Sequence, residues 1–269
     1  MVTSARTGTG IFTNMADSMS PADVLQLLEA GTLEVEGLLP WSSNYTFLVQ
    51  ICGQLADGQT QTIEAVYKPR KGERPLWDFA RGTLCSRELA AYLTSSALGW
   101  DLVPPTILRE GPHGIGSVQL FIPHDPESHY LTFEGDPAYW PQLQKIVLFD
   151  MIINNADRKS GHVLLQEGGN PDGSNRLWTI DHGIAFHTDP KLRTVIWEFA
   201  GQPIPDELRE AVQAFYELLS ASQNGLSTQL AQLLTNREIV ALRERTQALI
   251  AAGVFNYPGP GRHYPWPPV

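Results

Sequence analysis

Apolar and polar residues along the chain follow two different periods, and the change falls near Pro123. In "TFLVQI" and "TIEAVYK" apolar and polar residues alternate, and the "ADGQTQ" between them carries Asp57-Gly58. That pattern predicts two antiparallel strands joined by a turn. "VPPTILRE" and "IGSVQLFIP" predict two more strands around a glycine-rich turn. Ahead of them, "SPADVLQLLEAG" has Ser20 in the N-cap position, Pro21 at the first helical position, apolar Val24, Leu27 and Leu28, and Gly31 as a stop. This is a short amphipathic helix. "CSRELAAYLTSSALG" has helical spacing too, with Leu89, Tyr92 and Leu93 on one side and Gly99 as terminator.

Beyond Pro123 longer periods take over. "DPAYWPQLQKIVLFDMIINN" predicts a helix from about Tyr139, and "VLLQE" and "RLWTIDHG" a short hairpin with "GGNPDGSN" as its loop. Residues 205–222 and 227–252 predict two further helices. The expected plan is α+β and two-lobed. Residues 1–19 form a loosely ordered N-terminus, 20–123 a strand-rich N-lobe and 124–255 a helix-rich C-lobe, with a Pro/Gly-rich tail, 256–269, extended against the surface.

Composition narrows the function classes. An apolar fraction of 42% and seven Trp in 269 residues argue for a folded core. A net charge of −10 opposes nonspecific nucleic-acid binding, which needs clustered Lys and Arg, and opposes docking on an anionic membrane surface. Cys52 and Cys85 have no metal-ligand spacing and are expected as two buried thiols in a reducing compartment. The N-terminal residues lack the apolar core of a signal peptide, and no apolar stretch reaches transmembrane length, so a cytoplasmic protein is expected.

The polar turn "NNADRKSGHVLL", set between apolar runs, holds Asp157, Arg158, Lys159 and His162. Lys68 ends the apolar strand "EAVYK", and Glu88 lies on the following helix. Each alone is commonly a solvated surface charge; together they suggest a strand lysine oriented by a helix glutamate to grip phosphate oxygens. Asp181 follows the strand "RLWTI" and precedes His182-Gly183, where the glycine frees the backbone to turn sharply. Asp157 and Asp181 could thus face one cleft, one orienting or deprotonating a hydroxyl and the other holding a metal on phosphates; an Asx-turn role for each is the plainer alternative. The other histidines show no zinc-site spacing, and no G-x-S-x-G hydrolase motif occurs.

The ordered blocks "AVYKP", "RELAAYL..ALGWDLVPPT", "GSVQLFI", "IINNADRKSGHVLL" and "TIDHGIAF", from about Leu33 to His187, resemble the phosphatidylinositol 3-/4-kinase-like branch of the protein-kinase-like fold. They are most similar to type II phosphatidylinositol 4-kinases and bacterial phosphatidylinositol-kinase-like proteins, and more distantly to HipA-type kinases. The resemblance implies an ATP-dependent kinase with a nucleotide cleft between its lobes, using Mg²⁺ or Mn²⁺. Lys68 becomes the phosphate lysine, Glu88 its partner, and Gln119, Leu120, Phe121 and Ile122 the hinge beside adenine. Asp157 becomes the catalytic-loop aspartate, Asp181 the metal-binding one, and Arg158 either steadies the loop or meets phosphate. In place of a G-x-G-x-x-G loop, "PWSSNY" offers Ser42, Ser43 and Asn44. Where such kinases commonly carry a metal-binding Asn, this chain has His162, a ligand better suited to Mn²⁺ than to Mg²⁺.

Three readings stand at this point: an active kinase whose acceptor is a lipid, protein or small alcohol; a nucleotide-binding pseudokinase with a regulatory role; and a structural domain without nucleotide.

Overall fold

A computed structural model of the chain describes residues 19–39, 44–221 and 225–269. Five strands form one antiparallel sheet in the order β1-β2-β3-β5-β4: β1 Thr32–Leu38, β2 Phe47–Gln54, β3 Thr60–Pro69, β4 Thr106–Gly111 and β5 Gly114–Leu120. The period-two alternation decides what is buried. Val49 and Ile51 of β2, Ile63, Ala65 and Tyr67 of β3, and Val118 and Leu120 of β5 share one core. Helix α1 (Pro21–Ala30) covers it with Val24, Leu27 and Leu28, and its first turn is fixed by Ser20 Oγ accepting from the Asp23 amide. Cys52 falls on the opposite side of β2 from Ile51 and is exposed, which corrects the expectation of two buried thiols; Cys85 is buried. Gly116 matters for the site, because a Cβ there would overlap the Lys68 carbonyl oxygen and the Tyr67 ring. Only glycine lets β5 lie this close behind Lys68.

Helix α2 (Leu84–Ala97) links the sheet to the rest of the molecule, and its Ala90 and Ala91 belong to the larger, C-terminal core. Its expected apolar side is only half-buried. The buried side instead carries Arg87, Glu88, Ala91, Thr94 and Ser95, because small residues let the helix approach closely while its charged pair finds partners. After it come α3 (Tyr130–Phe133), α4 (Trp140–Ile153), the hairpin β6 (Val163–Gln166) and β7 (Arg176–Thr179), then α5 (Asp206–Ser220), α6 (Gly225–Leu233) and α7 (Asn236–Ala252). Every residue of α4 from Ile146 to Ile153 is buried, Asp150 included. Leu164 and Trp178 of the hairpin pack into the N-terminal core, joining the two parts.

The single helix expected over 227–252 is two. Thr235 Oγ1 accepts from the Glu238 amide while the Glu238 carboxylate accepts from the Thr235 amide, a capping box that ends one helix and starts the next. The Pro/Gly-rich tail is irregular and lies along the C-terminal part: the Pro268 carbonyl accepts from the Ser160 amide at 2.8 Å, and the His263 carbonyl from the Thr194 amide at 3.1 Å. No helix among the described residues is long and apolar enough to cross a membrane.

Candidate active site

The end of β3 delivers Lys68 to two carboxylates from distant parts of the chain. Its Nζ lies 2.6 Å from Glu88 Oε1 on α2 and 2.5 Å from Asp181 Oδ1 after β7. Burial alone would push the Lys68 ammonium down, but Asp181 and Glu88 overcome it and hold the pKa above the ordinary lysine value. In turn the Lys68 charge, outweighing burial, holds Asp181 well below the usual carboxylate range. The other oxygen of Glu88 accepts from the His182 amide at 2.9 Å, so α2 is pinned directly to the segment that presents Asp181.

That segment turns at Asp181 itself, with φ 64°, and not at Gly183 as the sequence suggested. A non-glycine residue in the left-handed region is uncommon, and aspartate is among those that tolerate it. Gly183 serves packing instead: a Cβ there would press on the Leu84 side chain at 3.3 Å, at the start of α2. The turned backbone leaves the Asp181 side chain 49% exposed, free to meet a further ligand.

The polar turn of residues 154–162 is held from below by Arg158, which is 0% exposed. Its Nε and Nη2 pair with both oxygens of Asp150 at 2.9 Å, Nη1 donates to the His162 and Ile180 carbonyls at 3.0 Å, and Nη2 also meets His182 Nε2 at 2.8 Å. All five N–H groups are thus used within the scaffold. Of the two roles expected for Arg158 the geometry leaves the steadying one; contact with phosphate is corrected, because no donor remains for it. Burial, then the Arg158 charge, keeps the His182 ring neutral, in keeping with its Nε2 accepting from Arg158. Asn155 adds to the lattice by donating to Asp150 and accepting from the Asp157 amide.

Asp157 sits on this platform with 27% of its side chain exposed and Lys159 Nζ at 3.9 Å. Burial raises its pKa to about 6, with Lys159 opposing and Asp181 adding to the rise. The folded state therefore prefers the protonated acid, so this group's contribution to stability falls as pH rises from the unfolded value near 4 to about 6. Asp157→Asn removes the effect. The variant should be more stable than wild type by about 1–3 kcal/mol above pH 6, with the gain vanishing below about pH 4. Thermal melts of both proteins across that range check it.

His162 turns its ring toward Asp181. Its Nδ1 lies 2.9 Å from the Asp157 carbonyl oxygen, which can only accept, and 3.4 Å from the Lys159 amide; in the tautomer that the shorter contact selects, Nδ1 carries the proton. Nε2 then presents a lone pair 3.3 Å from Asp181 Oδ2. Two acceptors facing each other suit a shared cation. Among the described residues no cluster of three or more His, Cys, Asp or Glu could hold a metal alone.

Ser42 and Ser43 lie outside the described residues. The Asn44 side chain accepts from the Arg74 amide at 2.8 Å and so ties the β1–β2 loop to the segment after β3. Gln119 is buried and donates to Thr106 Oγ1, the Leu120 amide donates to Pro105 and the Phe121 amide to Glu64. Leu120 and Ile122 join Leu164 and Trp178 in an apolar group between sheet and hairpin. Sequence reasoning passed over Asp150, although a carboxylate inside "VLFDMII" signals a buried partner. It also passed over the buried ion pair of Arg87 with Glu238, which ties α2 to α7.

The architecture is the protein-kinase-like fold: a crystal structure of the Golgi casein kinase matches with a TM-score of 0.51 at 16% identity, over 86% of this chain and 74% of that one. Residues 106–243 match the family described as Phosphatidylinositol 3- and 4-kinase. Protein Rv2133c of Mycobacterium tuberculosis is 38% identical over 90% of this chain and 94% of its own length. Phosphatidylinositol 4-kinase gamma 4 of Oryza sativa subsp. japonica is 28% identical over 45% of this chain, but that match spans only 24% of the plant protein. The chain belongs to the phosphatidylinositol 3- and 4-kinase family.

Proposed function

We propose that the protein is an ATP-dependent phosphotransferase that moves the γ-phosphate of ATP to a hydroxyl acceptor. The observation that carries this reading is Lys68, bridged at 2.6 and 2.5 Å to Glu88 and Asp181. A lysine so fixed offers phosphate oxygens a charge already in place, and needs no reorganisation when they arrive. Family membership supports the same class.

The donor set fits a divalent ion that arrives with the nucleotide. Asp181 and His162 Nε2 offer two ligands on one side, too few for a protein cage, leaving the rest of the shell to phosphate oxygens and water. When bound, such an ion neutralises phosphate charge. The imidazole nitrogen favours Mn²⁺ over Mg²⁺. Asp157 orients the acceptor hydroxyl and takes its proton, while Arg158 fixes the loop from which Asp157 projects. Glu88 keeps Lys68 in position and, through the His182 amide, keeps Asp181 beside it.

Turnover of ATP labelled in its γ-phosphate, with Mg²⁺ and with Mn²⁺, tests the reading. Transfer or release of label that disappears in Asp157→Asn supports it; no turnover with either ion contradicts it. Running the assay with phosphatidylinositol vesicles, with a mixed protein acceptor and with neither assigns the acceptor class.

A further inference from the structure

A cavity of about 430 Å³ opens between the start of α2 and the turn joining α6 to α7, lined by residues other than Lys68, Asp157 and Asp181. Thr83, immediately before α2, and Thr235 and Arg237, at the start of α7, all line it. Helices of 14 and 17 residues therefore direct their positive ends to one space, although the Cys85 amide of α2 is taken by Glu73 and the Glu238 amide of α7 by Thr235 Oγ1. Helix ends alone would not define a site.

Arg87 supplies the independent sign. It lines the cavity and is 4% exposed; Nη1 donates to the Ala185 carbonyl at 2.6 Å and Nη2 pairs with Glu238. Its Nε–H has no acceptor among the described residues. Nε and Nη2 share one edge of a guanidinium, so the unmet donor looks the same way as the bond to Glu238, itself part of the cavity wall. A buried donor of this kind calls for an acceptor. The acids nearby do not supply one. One Glu238 oxygen meets Arg87 and the other takes the Thr235 amide and hydroxyl, while Asp78 pairs with Lys191 at 2.7 Å.

We propose that this cavity binds a small phosphate-bearing molecule, its oxyanion held by Arg87, Arg237 and the first turns of α2 and α7. A bare phosphate would fill little of it, and the volume lies within the range of about 300–1,000 Å³ usual for small organic ligands. The ligand class is a phosphomonoester with a compact body. Arg87 neighbours Glu88, the partner of Lys68, and bonds Ala185 in the segment that follows Asp181. An occupant therefore braces the contact that sets Lys68, and by linkage it and the nucleotide tighten each other's binding. That consequence rests on the proposed kinase reading; occupancy of the cavity does not.

Glycerol phosphate and inorganic phosphate, titrated into the full chain and followed by melting temperature, test it. Wild type should be stabilised by both, at lower concentration by the ester. Arg237 is exposed, so Arg237→Glu should fold normally and weaken the response about tenfold or more. Lys68→Met should retain the response. An unchanged response in Arg237→Glu, a response lost in Lys68→Met, or none at millimolar concentration would overturn the proposal. The second of these would place the anion at Lys68 and leave the kinase reading intact.

Discussion

Asp181→Asn is expected to cripple metal-dependent nucleotide binding, whereas Asp157→Asn spares binding and removes turnover. The difference follows from where each carboxylate stands. Asp181 touches the Lys68 ammonium and faces His162 Nε2, so it carries the negative charge that a divalent ion and the lysine both need. An amide in its place keeps the shape and loses that charge, and nucleotide affinity in the presence of metal should fall about a hundredfold. Asp157 has neither contact. It stands on the Arg158 platform with its amide held by Asn155, placed to receive a proton. Loss of a general base costs about 10²–10⁴-fold in rate and leaves binding of the other substrate in place. Calorimetric titration of ATP with saturating metal, beside a γ-phosphate turnover assay, separates the two. Equal loss of binding in both variants would show that the roles are wrongly divided.

Arg158→Met should destabilise the fold by about 3–5 kcal/mol, the cost of leaving a buried charge without its partner. Asp150 is 0% exposed and both its oxygens face Arg158. Removing the guanidinium also frees the His162 and Ile180 carbonyls and His182 Nε2 from their donor, and so loosens both segments that carry Asp157 and Asp181. Denaturant unfolding measures the loss. The double variant Arg158→Met/Asp150→Leu should recover part of it, since two apolar groups can replace a buried pair at little cost. A single-variant loss under about 1 kcal/mol would mean that the turn is held by other contacts.

The hairpin of β2 and β3 was legible because strict alternation and an Asp-Gly turn leave little choice of register, and α1 because both its ends carry cap residues. Lys68, Glu88, Asp157, Asp181 and His162 were identified by residue type at motif positions, and the fold brings Lys68, Glu88 and Asp181 into direct contact, with His162 facing Asp181. Arg158 was harder, since a charged residue in a polar turn reads as exposed. Only its partner, Asp150 within an apolar run, betrays the burial. The break before α7 was also written in the chain as Thr235 and Glu238, but apolar periodicity runs through it and masks the cap. The turn at Asp181 could not be read, because the adjacent Gly183 offers the easier left-handed position and packing against α2 takes that glycine for another purpose.

On the proposed reading Lys68, held between Glu88 and Asp181, receives the phosphates of a nucleotide. The most direct test is a calorimetric titration of a non-hydrolysable ATP analogue with Mn²⁺ into wild type and Lys68→Met. Wild type should bind saturably at one site per chain, and the variant at least about tenfold more weakly through loss of a charge-assisted contact. Equal affinity in the two proteins, or no binding by wild type, would contradict it.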